Sequence, residues 1–312
     1  MITVSEEKIV DYEITARIAT DAFGSKAVAF SAERMKWLYE RSFGQGTAIL
    51  AVFDEGVKIG QIALIRQKLC ANGEFGAATQ LVDLFILLAY RSPQLVRRIY
   101  KEIERFCLDK NIRFILALPN QNATLLNARF LKLKPLVRLK IRAGVGLLPP
   151  RLSKLKYSGR LKSIPRNQAI DLLSDFSTPA TENGLSWDGE TLFERMSDPT
   201  CDYAVHCTAN LLLISSSRTT KGIKYTLLCG FFVRSQTKAT TGGVRELIRA
   251  ACRFWKHLFF VYAGVNRSLP ELPGIVVPAR FRQPILVQLR DFNSDEPKIK
   301  FDRFQLIDSD FA

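Results

Sequence analysis

Acidic residues are missing from a long stretch of this 312-residue chain, between Asp109 and Asp171. The stretch holds fourteen lysines and arginines, while the formal charge of the whole chain is +15. A second acid-free stretch runs from Tyr203 to Arg245. Concentrated positive charge raises the local concentration of phosphates and carboxylates, so the sequence indicates an anionic partner.

Histidine is also scarce, because His206 and His257 are the only two in the sequence. This argues against a histidine-based triad or a histidine-rich metal site. The six cysteines are scattered without the close spacing of metal ligands, which is typical of buried, reduced thiols. The longest strongly apolar run, 84–89, is too short to cross a bilayer, and residues 1–8 lack a signal-peptide pattern. We therefore expect a cytoplasmic protein without a metal.

The composition is that of an ordinary globular protein, with 47% hydrophobic and 24% charged residues. A chain of this length can bury a large core, and length alone suggests about two domains. The glycines and prolines of residues 143–164 predict a linker there. We therefore expect one unit over 1–146 and a second over 147–312.

Apolar spacing predicts helices and strands in a similar order in the two halves. In the first half, helices are expected at 11–23, 31–43, 94–108 and 123–130, with strands at 47–53, 57–67, 80–88 and 112–118. In the second half, helices are expected at 168–176, 191–196 and 242–257, with strands at 201–207, 211–216, 225–233, 258–263, 284–289 and 300–307.

Residues 132–142 alternate basic and apolar side chains, which predicts a half-buried strand with a cationic outer face. Arg138, Lys140 and Arg142 could therefore hold phosphates of a donor, dock an acidic carrier protein, or bind nucleic acid or anionic lipid. Aromatic residues are sparse between 110 and 170, which argues against nucleic acid. The alternative is an edge strand that its charges protect from aggregation.

Two segments, LVDLFILLAYR at 81–91 and FILALPN at 114–120, resemble the GNAT superfamily of acyltransferases. The endings of the chain at 280–284 and 304–310 are similar to a bacterial subgroup with two GNAT units in tandem. The resemblance implies an α/β (α+β) fold of two units, each with a mixed central sheet flanked by helices.

In that family, a loop at a helix N-terminus binds the pyrophosphate of coenzyme A, and an adjacent splayed strand polarises the thioester carbonyl. The resemblance carries these roles to Arg91 and its neighbours, and to the backbone of Leu87 and Leu88. The positions so implied for the donor are Leu87, Leu88, Arg91, Ser92, Gln94, Leu95 and Asn120. For Asn120, the alternative is a plain helix cap.

This sequence departs from the family pattern in two places. Gln94 and Val96 stand where the loop has glycines, and Pro93 lacks an amide donor. Asn127 stands where the family commonly has a tyrosine that protonates the leaving thiolate. The first departure weakens the case for a coenzyme A pyrophosphate at this loop, and the second removes the usual proton donor.

Asp83 is the candidate catalytic residue, because it is the one carboxylate in a continuous apolar strand. Desolvation raises the pKa of a carboxyl group toward the range that suits a general base, and the family often places an acidic residue on this strand. The alternative is a structural aspartate that bonds to neighbouring groups. Trp37, Tyr39 and Phe43 line the acceptor pocket by the same resemblance, or else belong to the core.

Lys238, Gly242 and Gly243 form a second candidate phosphate loop before a helix. Short glycine motifs are common in plain turns, which is the alternative. Taken together, the sequence predicts transfer of an acetyl or longer acyl group from acyl-CoA, or from an acyl carrier protein, to an amine. The competing hypothesis is a degenerate GNAT scaffold that binds an anionic partner.

Overall fold

The computed structural model describes residues 1–24, 30–146, 155–179, 181–235, 237–294 and 299–310. The chain forms two compact units, and each contains segments that are distant in sequence. Unit 1 comprises Met1–Leu69, Gly76–Leu136 and Val287–Lys298. Unit 2 comprises Cys70–Phe75, Val137–Leu286 and Ile299–Ala312.

The strands are, in chain order, β1 (Ile2–Glu7), β2 (Thr47–Asp54), β3 (Val57–Ala71), β4 (Glu74–Ile86), β5 (Phe114–Ala117), β6 (Lys134–Leu139), β7 (Ile141–Val145), β8 (Tyr157–Arg160), β9 (Gly184–Leu185), β10 (Tyr203–Cys207), β11 (Leu211–Thr220), β12 (Ile223–Val233), β13 (Phe259–Asn266), β14 (Ile275–Val276), β15 (Ile285–Asp291) and β16 (Arg303–Gln305). The α-helices are α1 (Tyr12–Phe23), α2 (Ala32–Glu40), α3 (Pro93–Asp109), α4 (Gln121–Leu131), α5 (Arg166–Ser174), α6 (Gly189–Arg195) and α7 (Thr241–Trp255).

Unit 1 is built on a mixed sheet with the strand order β1-β2-β3-β4-β5-β15-β6. Strands β1 to β3 pair antiparallel, whereas β4 and β5 pair parallel over four residues. The last described parallel pair is Leu81 with Ala117, and β4 continues beyond this pair to Ile86. Helix α3 packs its apolar face, including Ile99 and Ile103, into the core beneath these strands.

Unit 2 repeats this plan with the strand order β14-β7-β13-β12-β11-β10-β8, and β16 pairs with β13. Here the parallel pair is β12 with β13, and α7 is the helix that connects them. Its core includes Leu213, Phe231, Leu247 and Tyr262. The two mixed sheets with flanking helices confirm the predicted fold class.

The units differ from the expected contiguous halves, 1–146 and 147–312. Strand β15, near the end of the sequence, pairs with β5 in the sheet of unit 1. Strand β7 pairs with β13 and β14 in the sheet of unit 2. The chain therefore leaves unit 1 near Leu136, before the glycine- and proline-containing stretch that predicted the linker.

The alternation predicts a single strand over residues 132–142, but the structure has two. Lys140 separates β6, which belongs to the first sheet, from β7, which belongs to the second. The alternation predicts burial in part: Leu133 and Leu139 are buried and Arg138 and Lys140 are exposed, whereas Pro135 is exposed and Val137 and Ile141 are half-buried.

Candidate active site

Asp83 lies in β4, two residues beyond the last parallel pair with β5. Its backbone has a φ of 51°, in the left-handed region that aspartate tolerates better than most residues. Such a residue interrupts the regular pleat of a strand and redirects the side chains around it. The half-buried Asp83 therefore lies where the pairing of β4 with β5 has ended.

The Asp83 carboxylate is held by a buried hydrogen-bond network from neighbouring elements of unit 1. Tyr39, on α2, donates its hydroxyl to Asp83 Oδ2 at 2.7 Å. Gln61, on β3, donates from Nε2 to the same Tyr39 oxygen at 3.0 Å. Burial, and secondly the charge of Asp83, raise the pKa of Tyr39 well above its usual range. Tyr39 therefore keeps its proton and acts as a donor to the carboxylate.

Three phenylalanines form an aromatic cluster at the end of β4. Phe85 follows Asp83 on β4, and its ring centroid lies 6.3 Å from that of Phe23 and 6.5 Å from that of Phe30. Phe23 and Phe30 stack at 5.3 Å, and Phe23 is 46% exposed. The cluster therefore leaves a partly exposed apolar surface in unit 1, and Phe85 joins it to β4 two residues after Asp83.

The side chains of the predicted phosphate loop already form hydrogen bonds within the protein. Arg91 donates from Nε to the carbonyl of Ile86 at 2.9 Å, and a second guanidinium nitrogen bonds the carbonyl of Ala22. The Ser92 hydroxyl caps α3 by accepting from the Leu95 amide at 3.2 Å. Arg91 thus braces the end of β4 against α1, and the cap already uses one of the amides that a phosphate would need.

The other residues implied for this loop are divided between surface and core. Gln94 is exposed on the first turn of α3, whereas Leu95 is 4% exposed and belongs to the core. The amide of Leu87 donates to the carbonyl of Ile59 at 2.9 Å. The backbone of Leu87 is therefore engaged, and it cannot polarise a thioester carbonyl as expected. Leu88 begins a short 3-10 turn and is 74% exposed.

Asn120 acts as a helix cap. Its side chain accepts a hydrogen bond from the Ala123 amide at 2.9 Å, at the N-terminus of α4. In the same helix, Asn127 is buried and accepts from the Tyr100 hydroxyl at 2.7 Å. The Asn127 amide nitrogen donates to Gln288 Oε1 at 3.1 Å, and burial raises the pKa of Tyr100 to about 12. The Tyr100 hydroxyl, which comes from α3, is therefore bonded to Asn127 within the core.

The aromatic residues of α2 play different parts. Tyr39 contacts Asp83, whereas Trp37 and Phe43 are 5% and 6% exposed and belong to the core. The sequence missed Gln61, because a glutamine within an apolar strand carries no periodic signal. It also missed the link between Tyr100 and Asn127, since Tyr100 fits the apolar face of α3.

The candidate phosphate residues of the basic stretch are not equivalent. Arg138 and Lys140 are exposed, but Arg142 donates from Nε to the Pro273 carbonyl at 3.0 Å and from Nη2 to the Gly274 carbonyl at 2.7 Å. Arg142 also lines a cleft of about 560 Å³ in unit 2, together with Arg245, Arg249, Ile248 and Phe260. Its guanidinium is therefore built into the wall of that cleft. Arg151 and Lys154, which belong to the same stretch, lie outside the described residues.

The second candidate loop is a capped helix start. Thr240 accepts from the Gly243 amide at 3.1 Å, which satisfies one of the first amides of α7. Gly242 and Gly243 do not adopt a positive φ, and a side chain at Gly242 would meet open space. Lys238 is exposed. These contacts are those of an ordinary capped helix start, and they give no reason for a glycine at position 242.

Two further features were sought over the described part of the chain. No helix there is long and apolar enough to cross a membrane. No group of three or more histidine, cysteine or acidic side chains is placed there to hold a metal ion.

No protein-family model matches the sequence, and no curated protein matches it. Solved structures match its fold. A probable N-acyltransferase from Enterococcus faecalis matches with a TM-score of 0.63 at 10% identity, over 93% of this chain and 72% of that one. N-myristoyltransferase from Saccharomyces cerevisiae, solved with myristoyl-CoA, matches with 0.59 at 11% identity, over 98% and 83%.

A tandem GNAT protein from the clavulanic acid biosynthesis pathway matches with a TM-score of 0.55 at 10% identity. That match covers 96% of this chain and all of the other one. It confirms the resemblance that segments 81–91 and 114–120 carry. The chain has the fold of the tandem GNAT proteins.

Proposed function

We propose that the protein transfers an acyl group from a thioester to an amine, and that the transfer takes place in unit 1 at Asp83. The position of Asp83 carries this proposal. Its half-buried carboxylate stands where the two parallel strands separate, and the neutral Tyr39 hydroxyl orients it. A carboxylate so held can accept a proton from an approaching amine.

The proposed reaction proceeds by direct attack. The amine nitrogen forms a bond to the thioester carbonyl carbon, and the carbonyl electron pair moves onto oxygen. Collapse of this intermediate returns the oxygen electron pair to re-form the carbonyl and breaks the carbon–sulfur bond, and the thiolate leaves with the electron pair of that bond. The proton lost by the amine passes to Asp83, directly or through a water that it orders. Because the Leu87 amide is engaged, the Leu88 amide is the remaining candidate for stabilising the oxyanion.

The donor is a thioester of a phosphopantetheine arm, which acyl-CoA and acyl carrier protein share. The residues before α3 do not fit a coenzyme A pyrophosphate, since Arg91 and Ser92 are used internally and Pro93 has no amide. The partly exposed cluster of Phe23, Phe30 and Phe85 favours an apolar group on the acyl chain or on the amine.

The test is acyl transfer to a panel of amines from acetyl-CoA, a longer acyl-CoA and an acylated carrier protein. Asp83→Asn should lower kcat by about 10²- to 10⁴-fold while leaving donor binding intact. Asp109→Asn is the matched control, because Asp109 is an exposed carboxylate at the end of α3 in the same unit. Activity of Asp83→Asn within about threefold of the parent would refute the catalytic role.

A second candidate function is a non-catalytic scaffold that binds an anionic partner. The engaged state of Arg91 and Leu87 favours it, because both groups serve the donor in an active GNAT unit. Exposed cations such as Arg138 and Lys140 supply the charge for an anionic partner. Failure of all three donors to raise the melting temperature, together with binding to DNA or anionic vesicles, would favour the scaffold over the enzyme.

A further inference from the structure

Unit 2 contains the same separation of parallel strands as unit 1. Strands β12 and β13 pair from Tyr225 with Phe259 as far as Leu228 with Tyr262. Beyond that point β12 continues to Val233 and β13 to Asn266. By topology, this gap corresponds to the separation of β4 and β5 at Asp83, where a donor is proposed to bind in unit 1, and the two gaps can be compared residue by residue.

The gap in unit 2 is filled by the last strand of the chain. β16 pairs antiparallel with β13, with Gln305 opposite Gly264 and Arg303 opposite Asn266. The side chain of Gln305 crosses to β12, where Oε1 accepts from the Phe231 amide at 2.9 Å and Nε2 donates to the Phe231 carbonyl at 3.0 Å. Gln305 is fully buried, so it satisfies both groups that strand separation leaves open.

The segment around Gln305 is anchored by buried polar contacts rather than by surface adhesion. Asp308 accepts from the Trp187 indole at 2.6 Å and from the Gln305 amide at 2.6 Å. Arg195, itself 1% exposed, donates to the carbonyl of Ser309 at 2.6 Å. Burying these charged groups costs free energy unless their partners stay in place, so the tail segment belongs to the fold of unit 2.

The position that matches Asp83 holds a glycine in unit 2. Asp83 is the second residue after the last parallel pair of β4, and Gly230 is the second after the last parallel pair of β12. A Cβ at Gly230 would lie 2.8 Å from Cγ2 of Ile307, in the tail segment. No carboxylate fits at this position while the tail is seated. The space left beside Phe231 and Asn266 is about 10 Å³, which holds no more than about one water.

We infer that residues 303–309 occupy the donor slot of unit 2, so that a thioester donor binds unit 1 alone. The tail fills the gap in which the arm of a donor would lie, and the side chain of Gln305 already uses the Phe231 amide and carbonyl. Unit 2 is then a structural partner of the catalytic unit. This inference rests on the proposed function for the part that concerns the donor.

Hydrogen–deuterium exchange of the free protein tests the occupancy of the slot by itself. The Phe231 amide should exchange on the order of a thousandfold more slowly than an unprotected amide, because Gln305 holds it. Gln305→Ala should accelerate exchange at residues 231–233. Gln283→Ala, an exposed glutamine in the same unit, should leave it unchanged. Rapid exchange at Phe231 in the parent protein would overturn the inference, whatever the donor does.

Acetyl-CoA and octanoyl-CoA then test where the donor binds. Titration calorimetry should give one site per chain, and added protection from exchange should fall on residues 84–91 but not on 229–233. Two sites, or added protection at 229–233, would overturn the inference while leaving an acyltransferase intact. Failure of both acyl-CoAs and of an acylated carrier protein to bind would refute the proposed function instead, and the exchange of Phe231 in the free protein would still decide the occupancy.

Discussion

Tyr39→Phe is the most informative single substitution in unit 1, because it deletes one buried oxygen with two hydrogen bonds. That oxygen donates to Asp83 and accepts from Gln61. The phenylalanine fills the same volume, so no cavity forms and the effect isolates the hydroxyl. The substitution tests whether the carboxylate is held as the proposed reaction requires.

The magnitude follows from what each partner loses. A hydrogen bond to a charged group contributes about 1.5–3 kcal/mol, and an unsatisfied buried donor costs about 1–3 kcal/mol. Gln61 is fully buried, so its Nε2 would be left in the second situation. The sum places the loss in free energy of unfolding for Tyr39→Phe at about 2–4 kcal/mol, below a simple total because such terms are not additive.

A double-mutant cycle with Gln61→Leu separates the two bonds. Gln61 Oε1 is already buried without a hydrogen-bond partner among the described residues, so Gln61→Leu alone should cost less than about 1 kcal/mol. The double variant removes the stranded donor, and it should therefore be more stable than the sum of the single changes predicts by about 1–2 kcal/mol. Urea unfolding followed by circular dichroism measures all four free energies.

The kinetic result distinguishes a positioning residue from a purely structural one. Tyr39→Phe should lower kcat by about tenfold with KM unchanged, because the donor does not contact Tyr39 in the proposed reaction. A Tyr39→Phe protein as stable as the parent within about 0.5 kcal/mol would refute the buried network. If the stability losses are as expected but kcat is unchanged, the network supports only the fold.

Two further predictions concern unit 2 and the basic stretch. Burial lowers the pKa of His206 to about 3, below its ordinary value of 6.5. The neutral form therefore stabilises the fold above pH 6.5. The free energy of unfolding should fall by about 2–3 kcal/mol between pH 6.5 and 4.5. His206→Gln should flatten this dependence in urea unfolding, and an equally steep profile would contradict the assignment. The double reversal Arg138→Glu/Lys140→Glu should change stability by less than about 0.5 kcal/mol, because both side chains are exposed. Arg142→Glu should cost about 2–3 kcal/mol in the same assay, because its two bonds to carbonyls are lost, so equal effects of the two variants would refute the distinction.

Local features of the fold could be predicted from the sequence because local interactions determine them. Ser31 and Asn120 begin helices as capping residues, and apolar spacing predicts the buried faces of α3 and α7. Asp83 could be singled out because a lone carboxylate in an apolar strand is unusual. The short strands β1, β8 and β14 were not predicted, since their few residues carry little periodicity.

Features that depend on distant pairing could not be predicted. The alternation of 132–142 indicates which side chains are buried, but it is blind to the change of sheet at Lys140. Arg91 matches the family position, yet its guanidinium donates hydrogen bonds to the carbonyls of Ile86 and Ala22. The role of Gln305 depends on a gap in a sheet that lies some seventy residues earlier, near Phe231. Register between distant strands has no local signature.

The exchange of strands between the two parts of the sequence leads to a last prediction. Residues 1–146 lack β15, whose Val287, Gln288 and Leu289 are fully buried and which pairs with β5. Residues 147–312 lack β7, which pairs with both β13 and β14. Each fragment would expose the unpaired ladder of an inner strand and part of its core.

Neither contiguous half should therefore fold alone, whereas mixing the two should restore the native circular dichroism and a cooperative transition. The control is unit 1 rebuilt as a single chain, with residues 1–139 joined to 285–298 by a glycine–serine linker, because it keeps β6 whole and restores β15 beside β5. This chain should fold where 1–146 does not, although the two contain almost the same residues. Cooperative unfolding of the isolated 1–146 fragment would show that β15 is dispensable, and the units would then be the contiguous halves that composition suggests.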